Sequence, residues 1–103
     1  MKLYNTLAGE VEEFVPSDGQ SVKMYICGVT PYSSTHVGHA LSYVAFDVLR
    51  RYLEHLGYKV RHVQNFTDVD DKIILKAQEE GIDPQELVDR FVEDFFRGMD
   101  ALN

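Results

Sequence analysis

A chain of 103 residues that is 45% apolar, with six Tyr and six Phe, has room for one small globular domain with a core of its own. Its 17 acidic against 10 basic residues give a net charge of −7, which excludes a broad phosphate-backbone footprint but leaves open a local anion site built from backbone amides. A single cysteine rules out an internal disulfide and fits a reducing cytoplasm, and no apolar run approaches the roughly 18 residues of a membrane span.

Residues 1–20 read as a short strand, a turn near Ala8-Gly9, a second strand over 10–15 and a loop. In "SVKMYIC" (21–27), Val22, Met24 and Ile26 alternate onto one face of a strand. Residues 28–34 are loop by composition, with Pro31 preventing regular pairing. From Val37 to Leu56 the apolar residues follow helical spacing, and Gly57 stands where a helix-terminating glycine is expected. "YKVRHVQNF" is a second strand of the same kind. "TDVDDKIILKAQEEG" enters a short helix, with acidic residues at its positive end and Gly81 as its terminator. Asp83 as N-cap, Pro84 at the first helical position and Glu86 two residues later start a last helix. Its apolar stripe, Leu87, Val88, Phe91, Val92, Phe95 and Met99, runs toward the end of the chain.

Strand, long helix, strand is a βαβ unit, which predicts an α/β fold with a parallel pair and a right-handed crossover. Two parallel strands are too little sheet to stand alone, and no terminator signal closes the last helix before Asn103. Residues 1–103 are therefore expected to be part of a larger domain. If the residues that cover the Phe91/Phe95/Met99 stripe are missing, that stripe becomes an exposed apolar patch and a route to self-association.

The chemistry concentrates in "CGVTPYSSTHVGHA" (27–40). In an open α/β sheet ligands bind beyond the carboxyl ends of the strands, where the next helix points its amides and partial positive charge. His36 and His39 sit three apart at that helix start, placed to donate to a triphosphate as its charge shifts during displacement. Gly38 between them would let a flat base approach the backbone. Other readings of the same residues stay open. Cys27, His36 and His39 make a three-ligand zinc set without an evident fourth, and Cys27 at the end of a core strand also reads as a small buried hydrophobe. Asp68, Asp70 and Asp71 read either as a divalent-metal cluster or, in preference, as helix-capping carboxylates.

"MYICGVTPYSSTHVGHA" together with "HVQNFTDVDDKI" resembles the N-terminal part of the cysteinyl-tRNA synthetases, a family of class I aminoacyl-tRNA synthetases. His36-Val37-Gly38-His39 stands where that class carries its His-Ile-Gly-His signature, and "LYNTL" and "FDVLRRYLEHLGYKV" match as well. The resemblance covers almost the whole chain. It implies a Rossmann-like catalytic domain, of which 1–103 is the N-terminal half. It also implies ATP-dependent activation of L-cysteine to cysteinyl-adenylate, with ATP entering together with Mg, and transfer to tRNA(Cys) by the cytoplasmic parent enzyme. Cys27 matches the family's first zinc ligand, the others lying further along the family's chain, so one Cys cannot complete the site here. His36 and His39 are implied to contact the triphosphate, Gly28, Thr30 and Gly38 to line the adenylate site, and Gly28, Thr30, Asn65 and Thr67 to surround the amino acid. Zinc prefers thiolate to hydroxyl oxygen, so ligation by metal tells cysteine from serine where an apolar pocket does so poorly.

One departure matters. Many members follow the second histidine with a small residue and then Arg, whereas Ala40 is followed here by Leu41. The mycothiol-pathway cysteine ligases, which give the same adenylate to an amino sugar, also lack that Arg, and Thr30-Pro31-Tyr32 and Thr35 resemble their loop. They are the second reading, and a non-catalytic nucleotide-binding module is the third. No Lys-Met-Ser-Lys-Ser-like segment, further zinc ligands or anticodon-binding region occurs in 1–103, so the piece alone is expected to be inactive.

Overall fold

The structure, a computed structural model, describes residues 1–102, so the chain end expected at Asn103 lies outside the described residues. Lys2–Asn5 (β1) and Glu10–Glu13 (β2) form an antiparallel hairpin, with Lys2 opposite Glu13 and Asn5 opposite Glu10. β2 ends at Glu13 rather than at residue 15 because its partner strand runs out at Lys2.

Ser21–Ile26 (β3) and Lys59–Gln64 (β4) pair in parallel, from Ser21 opposite Lys59 to Ile26 opposite Gln64. The helix Val37–His55 (α1) makes the crossover between them, so the expected βαβ unit is present. Burial along β3 has the period of a strand, with Val22 and Ile26 buried and Lys23 and Tyr25 exposed. Leu53 closes this part of the core at 2% exposure. Gly57, at φ 92, and Gly81, at φ 68, take the left-handed backbone that ends a helix at no steric cost.

Two further helices follow, Asp71–Glu80 (α2) and Pro84–Leu102 (α3). Each starts on an aspartate. Asp70 Oδ1 accepts from the Lys72 amide at 2.9 Å, and Asp83 Oδ1 from the Gln85 amide at 2.8 Å. Ile73, Ala77, Leu87 and Val88 form the buried centre between α2 and α3, and Tyr32 from the loop after β3 packs against it. Farther along α3, the Phe95 ring meets Tyr43 of α1 edge-on at 5.1 Å and Phe66, just after β4, at 5.2 Å. Such pairs contribute roughly 0.5–1.5 kcal/mol each beyond their buried area. The α3 stripe is therefore core, with Phe95 buried and Phe91 and Met99 half-buried. The exposed apolar face lies instead on α1, where Val37, Leu41, Val44, Val48 and Tyr52 recur at helical spacing in contact with solvent. No helix among the described residues is long and apolar enough to cross a membrane.

Beyond the last ladder pair the two strands are joined by further bonds. The Gly28 amide donates to Asn65 Oδ1 at 2.8 Å, and the Thr67 amide donates to the Val29 carbonyl at 3.0 Å. The approach is so close that a Cβ on Gly28 would overlap the Asn65 carbonyl oxygen. Gly98, in the interior of α3, is different: a Cβ there would meet Thr35 Cγ2 at 3.5 Å, an ordinary contact.

The two glycines should respond to alanine with opposite signs. Gly98→Ala should raise stability by about 0.5–1 kcal/mol, because a helix-interior glycine is less favourable than alanine. Gly28→Ala should lower it by about 3 kcal/mol or more, since both backbones have to move apart. Urea unfolding midpoints of the two variants check this, and a Gly28→Ala midpoint equal to that of the parent would contradict the close approach.

Candidate functional site

Four segments meet at the carboxyl end of the parallel pair: the loop 27–36, the first turns of α1, the loop 65–70 and one flank of α3. The cross-strand bonds from Gly28 and Thr67 hold the two loops side by side. Pro31 is buried and Tyr32 half-buried, which pins the first loop to the α2/α3 core. A cleft of about 320 Å³ opens here, lined by Cys27, Gly28, Thr30, Gly38, His39 and Tyr43. A larger groove of about 420 Å³ runs between the hairpin and β3, but neither a histidine nor a cysteine lines it. Size alone does not pick the site.

The start of α1 is capped by its own histidines. His36, in extended backbone at φ −131 and ψ 171, is the N-cap, and its Nδ1 accepts from the Gly38 amide at 3.1 Å. His39 reaches back, its Nδ1 accepting from the His36 amide at 3.4 Å, which completes a reciprocal capping box. The rings lie stacked, with centroids 3.9 Å apart and planes 15° from parallel. With Nδ1 an acceptor in both, each neutral ring carries its proton on Nε2, the atom left to donate outward. Partial burial, and secondarily the charge of neighbouring His36, lowers the His39 pKa from its ordinary 6.5, which favours the neutral ring at neutral pH. No acidic residue occupies the first turn, so the partial positive charge of the helix start is not cancelled locally.

The cap uses part of the helix start for itself. The amide of the N-cap residue His36 and that of Gly38 in the first turn both donate to imidazole nitrogens. At Gly38 an added Cβ would lie 3.0 Å from His36 Cε1 and 3.1 Å from Nδ1, so the ring of the cap lies against this glycine. A side chain at residue 38 would crowd that ring.

Cys27 is exposed rather than a buried hydrophobe, because it stands one residue past the last paired position of β3. Among the described residues no group of three or more His, Cys, Asp or Glu is placed to share a metal ion. Cys27, His36 and His39 therefore do not form a common site, and neither do Asp68, Asp70 and Asp71. Asp70 acts as the N-cap of α2, the role preferred from the sequence.

Of the residues singled out, the cleft gathers Cys27, Gly28, Thr30, Gly38 and His39, while His36, Asn65 and Thr67 are not among those lining it. Asn65 spends its Oδ1 on the Gly28 backbone, and Thr67 its amide on Val29. Ser42 and Tyr43 also line the cleft and were not foreseen. Their signal was present, since they follow His39 by three and four residues and so share its helix face. Burial pushes the Tyr43 phenol up, against its hydrogen bond with Gln64, and the nearby Cys27 thiol adds to the rise. Asp94 is a second residue without foresight. Its Oδ2 accepts from the Thr35 amide at 3.1 Å, and 59 positions of separation left no local pattern to announce it.

Comparison with known proteins agrees with the geometry. Residues 13–103 match the family model described as tRNA synthetases class I (C) catalytic domain. A cysteine–tRNA ligase of Dehalococcoides mccartyi is 57% identical over 103 residues, covering 100% of this chain and 22% of that protein. One from Pyrococcus furiosus is 57% identical over 102 residues, covering 99% of this chain and 21% of that protein. The chain thus spans about a fifth of the length of the curated relatives it matches. Among solved structures, the methionyl-tRNA synthetase of Mycobacterium tuberculosis in complex with methionyl-adenylate superposes with a TM-score of 0.77 at 27% identity, over 82% of this chain and 16% of that one. With a parallel pair, a crossover helix and a His-Val-Gly-His cap at its start, the chain belongs to the class I (C) tRNA synthetase catalytic domain family.

Proposed function

We propose that residues 1–103 are the N-terminal half of the catalytic domain of a cysteine–tRNA ligase, working in a cytoplasmic parent about four to five times as long. The observation that carries this reading is the cleft at the strand ends, where an exposed thiol and the mouth of a histidine-capped helix face the same space. The parent's reaction has two steps. The carboxylate oxygen of L-cysteine attacks the α-phosphorus of ATP, which enters as its magnesium complex, and the bond to pyrophosphate breaks. A terminal hydroxyl of tRNA(Cys) then attacks the carbonyl carbon and AMP leaves.

Each residue has a part in this scheme. His36 and His39 donate from Nε2 to the triphosphate as charge builds on the departing pyrophosphate, aided by the partial charge of the helix start. Gly28, Thr30 and Gly38 border the adenylate. Gly28 and Thr30, with Thr67 and the Asn65 brace behind them, surround the amino acid. Cys27 fits one ligand position of a zinc ion whose remaining protein ligands lie outside 1–103, since the thiol is exposed beside the cleft. Zinc supplies a soft acceptor for the substrate thiolate and so discriminates against serine. The amino-sugar ligase reading has the Thr30-Pro31-Tyr32 spelling on its side, but relatives matching the whole chain bear the name cysteine–tRNA ligase. The exposed apolar stripe of α1 is the surface on which the rest of the parent would pack, and self-association is its alternative when that part is absent.

Two substitutions in the full-length enzyme test the roles. His39→Ala should slow cysteine-dependent pyrophosphate exchange by roughly 10²–10³, the size of one transition-state donor, with a smaller change in ATP affinity. A rate within a few-fold of the parent would reject the role. Cys27→Ser should lower bound zinc and cysteine affinity together, whereas a purely structural thiol would leave zinc unchanged by elemental analysis.

A further inference from the structure

α3 lies outside the parallel pair and outside the cleft, yet it is bonded to the loop that delivers the histidines. Asp94 Oδ2 accepts from the amide of Thr35, the residue before His36, at 3.1 Å in a partly buried setting. One turn farther along α3, Gly98 passes close enough that Thr35 Cγ2 would be 3.5 Å from a Cβ there. Thr35 is thus held from one side by a carboxylate and packed against a helix backbone. From this geometry we infer that Asp94 is a positioning residue for the histidine signature: its carboxylate fixes the Thr35 amide, and through it the extended backbone of His36 that aims both imidazoles. This rests on the proposed role of His36 and His39 at the triphosphate.

Three observations support this role. The neighbouring residue, Phe95, is buried at 6% exposure between Tyr43 and Phe66, so α3 is locked to α1 and to the end of β4 where Asp94 sits. The other partner of Asp94 is Arg97, at 3.4 Å with its side chain 73% exposed, and pairs so open to solvent contribute little. The His36 ring, in turn, depends on its backbone. As N-cap, its Nδ1 reaches the Gly38 amide only while the residue stays extended, and the stacked His39 ring takes its orientation from the His36 amide. An error at Thr35 therefore passes to both rings. Misplacing a reacting group by about 1 Å costs up to about 10²-fold in rate. Asp94 touches neither cleft nor substrate, so its effect should fall on kcat for adenylate formation far more than on KM.

The test uses the full-length enzyme and cysteine-dependent pyrophosphate exchange, with Asp94→Ala, Asp94→Asn and His39→Ala assayed in parallel. Asp94→Ala should lower kcat about tenfold and shift KM for ATP less than about twofold. Asp94→Asn keeps an acceptor oxygen at the same reach and should restore the rate to within about threefold of the parent. Exchange is normalised to folded enzyme by titrating active sites, so a mere loss of stability does not mimic the effect. Should Asp94→Ala not fold, Asp94→Leu and Thr35→Pro, which removes the donor instead, replace it. A fully active Asp94→Ala beside a slowed His39→Ala overturns the positioning role alone. If His39→Ala is itself fully active, the signature role fails and this inference fails with it. An Asp94→Asn variant as slow as Asp94→Ala also overturns it, because a charge effect would then replace the hydrogen bond.

Discussion

At the end of β3 the Gly28 amide donates to Asn65 Oδ1 across a gap too narrow for any side chain on residue 28, and the geometry of the cleft follows from that contact. Parallel strands lose their ladder where pairing stops, here at Ile26 opposite Gln64, and the following loops are then free to part. The Asn65 side chain supplies one more rung in place of a backbone carbonyl, and the bond from Thr67 to Val29 supplies another. These rungs keep the two loops in contact for several residues beyond the sheet. They bring the Cys27 thiol, Thr30 and the mouth of α1 around one space.

The helix at that mouth satisfies its own end. In most helices a serine, threonine or aspartate caps the first amides, and such a cap is spent in doing so. An imidazole has two nitrogens, so a histidine cap accepts at Nδ1 and still offers a donor at Nε2. Two stacked histidines repeat that arrangement in one turn, and partial burial keeps His39 in the neutral form it requires. A helix end in a protein of net charge −7 can therefore favour an anion locally, since its first turn carries no carboxylate.

α3 links this end of the molecule to its core. Leu87 and Val88 tie its first half to α2, and Phe95 ties its second half to α1 and Phe66. The polar flank of the same helix holds Thr35. Phe95 and Asp94 are thus adjacent residues of one element, the first buried in the core and the second half-buried and bonded to Thr35. The stripe on α1 is different: apolar, regular and exposed to solvent among the described residues.

The sequence by itself determined much of what depends on near neighbours, though not the histidine cap of α1. Alternation in "SVKMYI", helical spacing after Val37, the aspartate caps at Asp70 and Asp83 and the terminal glycines Gly57 and Gly81 all stand in the structure, because each arises from hydrogen bonds or side-chain periods within a few residues. The histidine pair and its place at a strand-to-helix turn were legible for the same reason. Tertiary structure alone decided the contacts between distant segments: Gly28 with Asn65 across 37 positions, Thr35 with Asp94 across 59, and the exposure of Cys27. It also decided which face of α1 is covered, since a helix apolar on several sides does not say which side meets a neighbour. Those outcomes depend on how finished elements come to rest against one another. No local pattern of residue types carries that information.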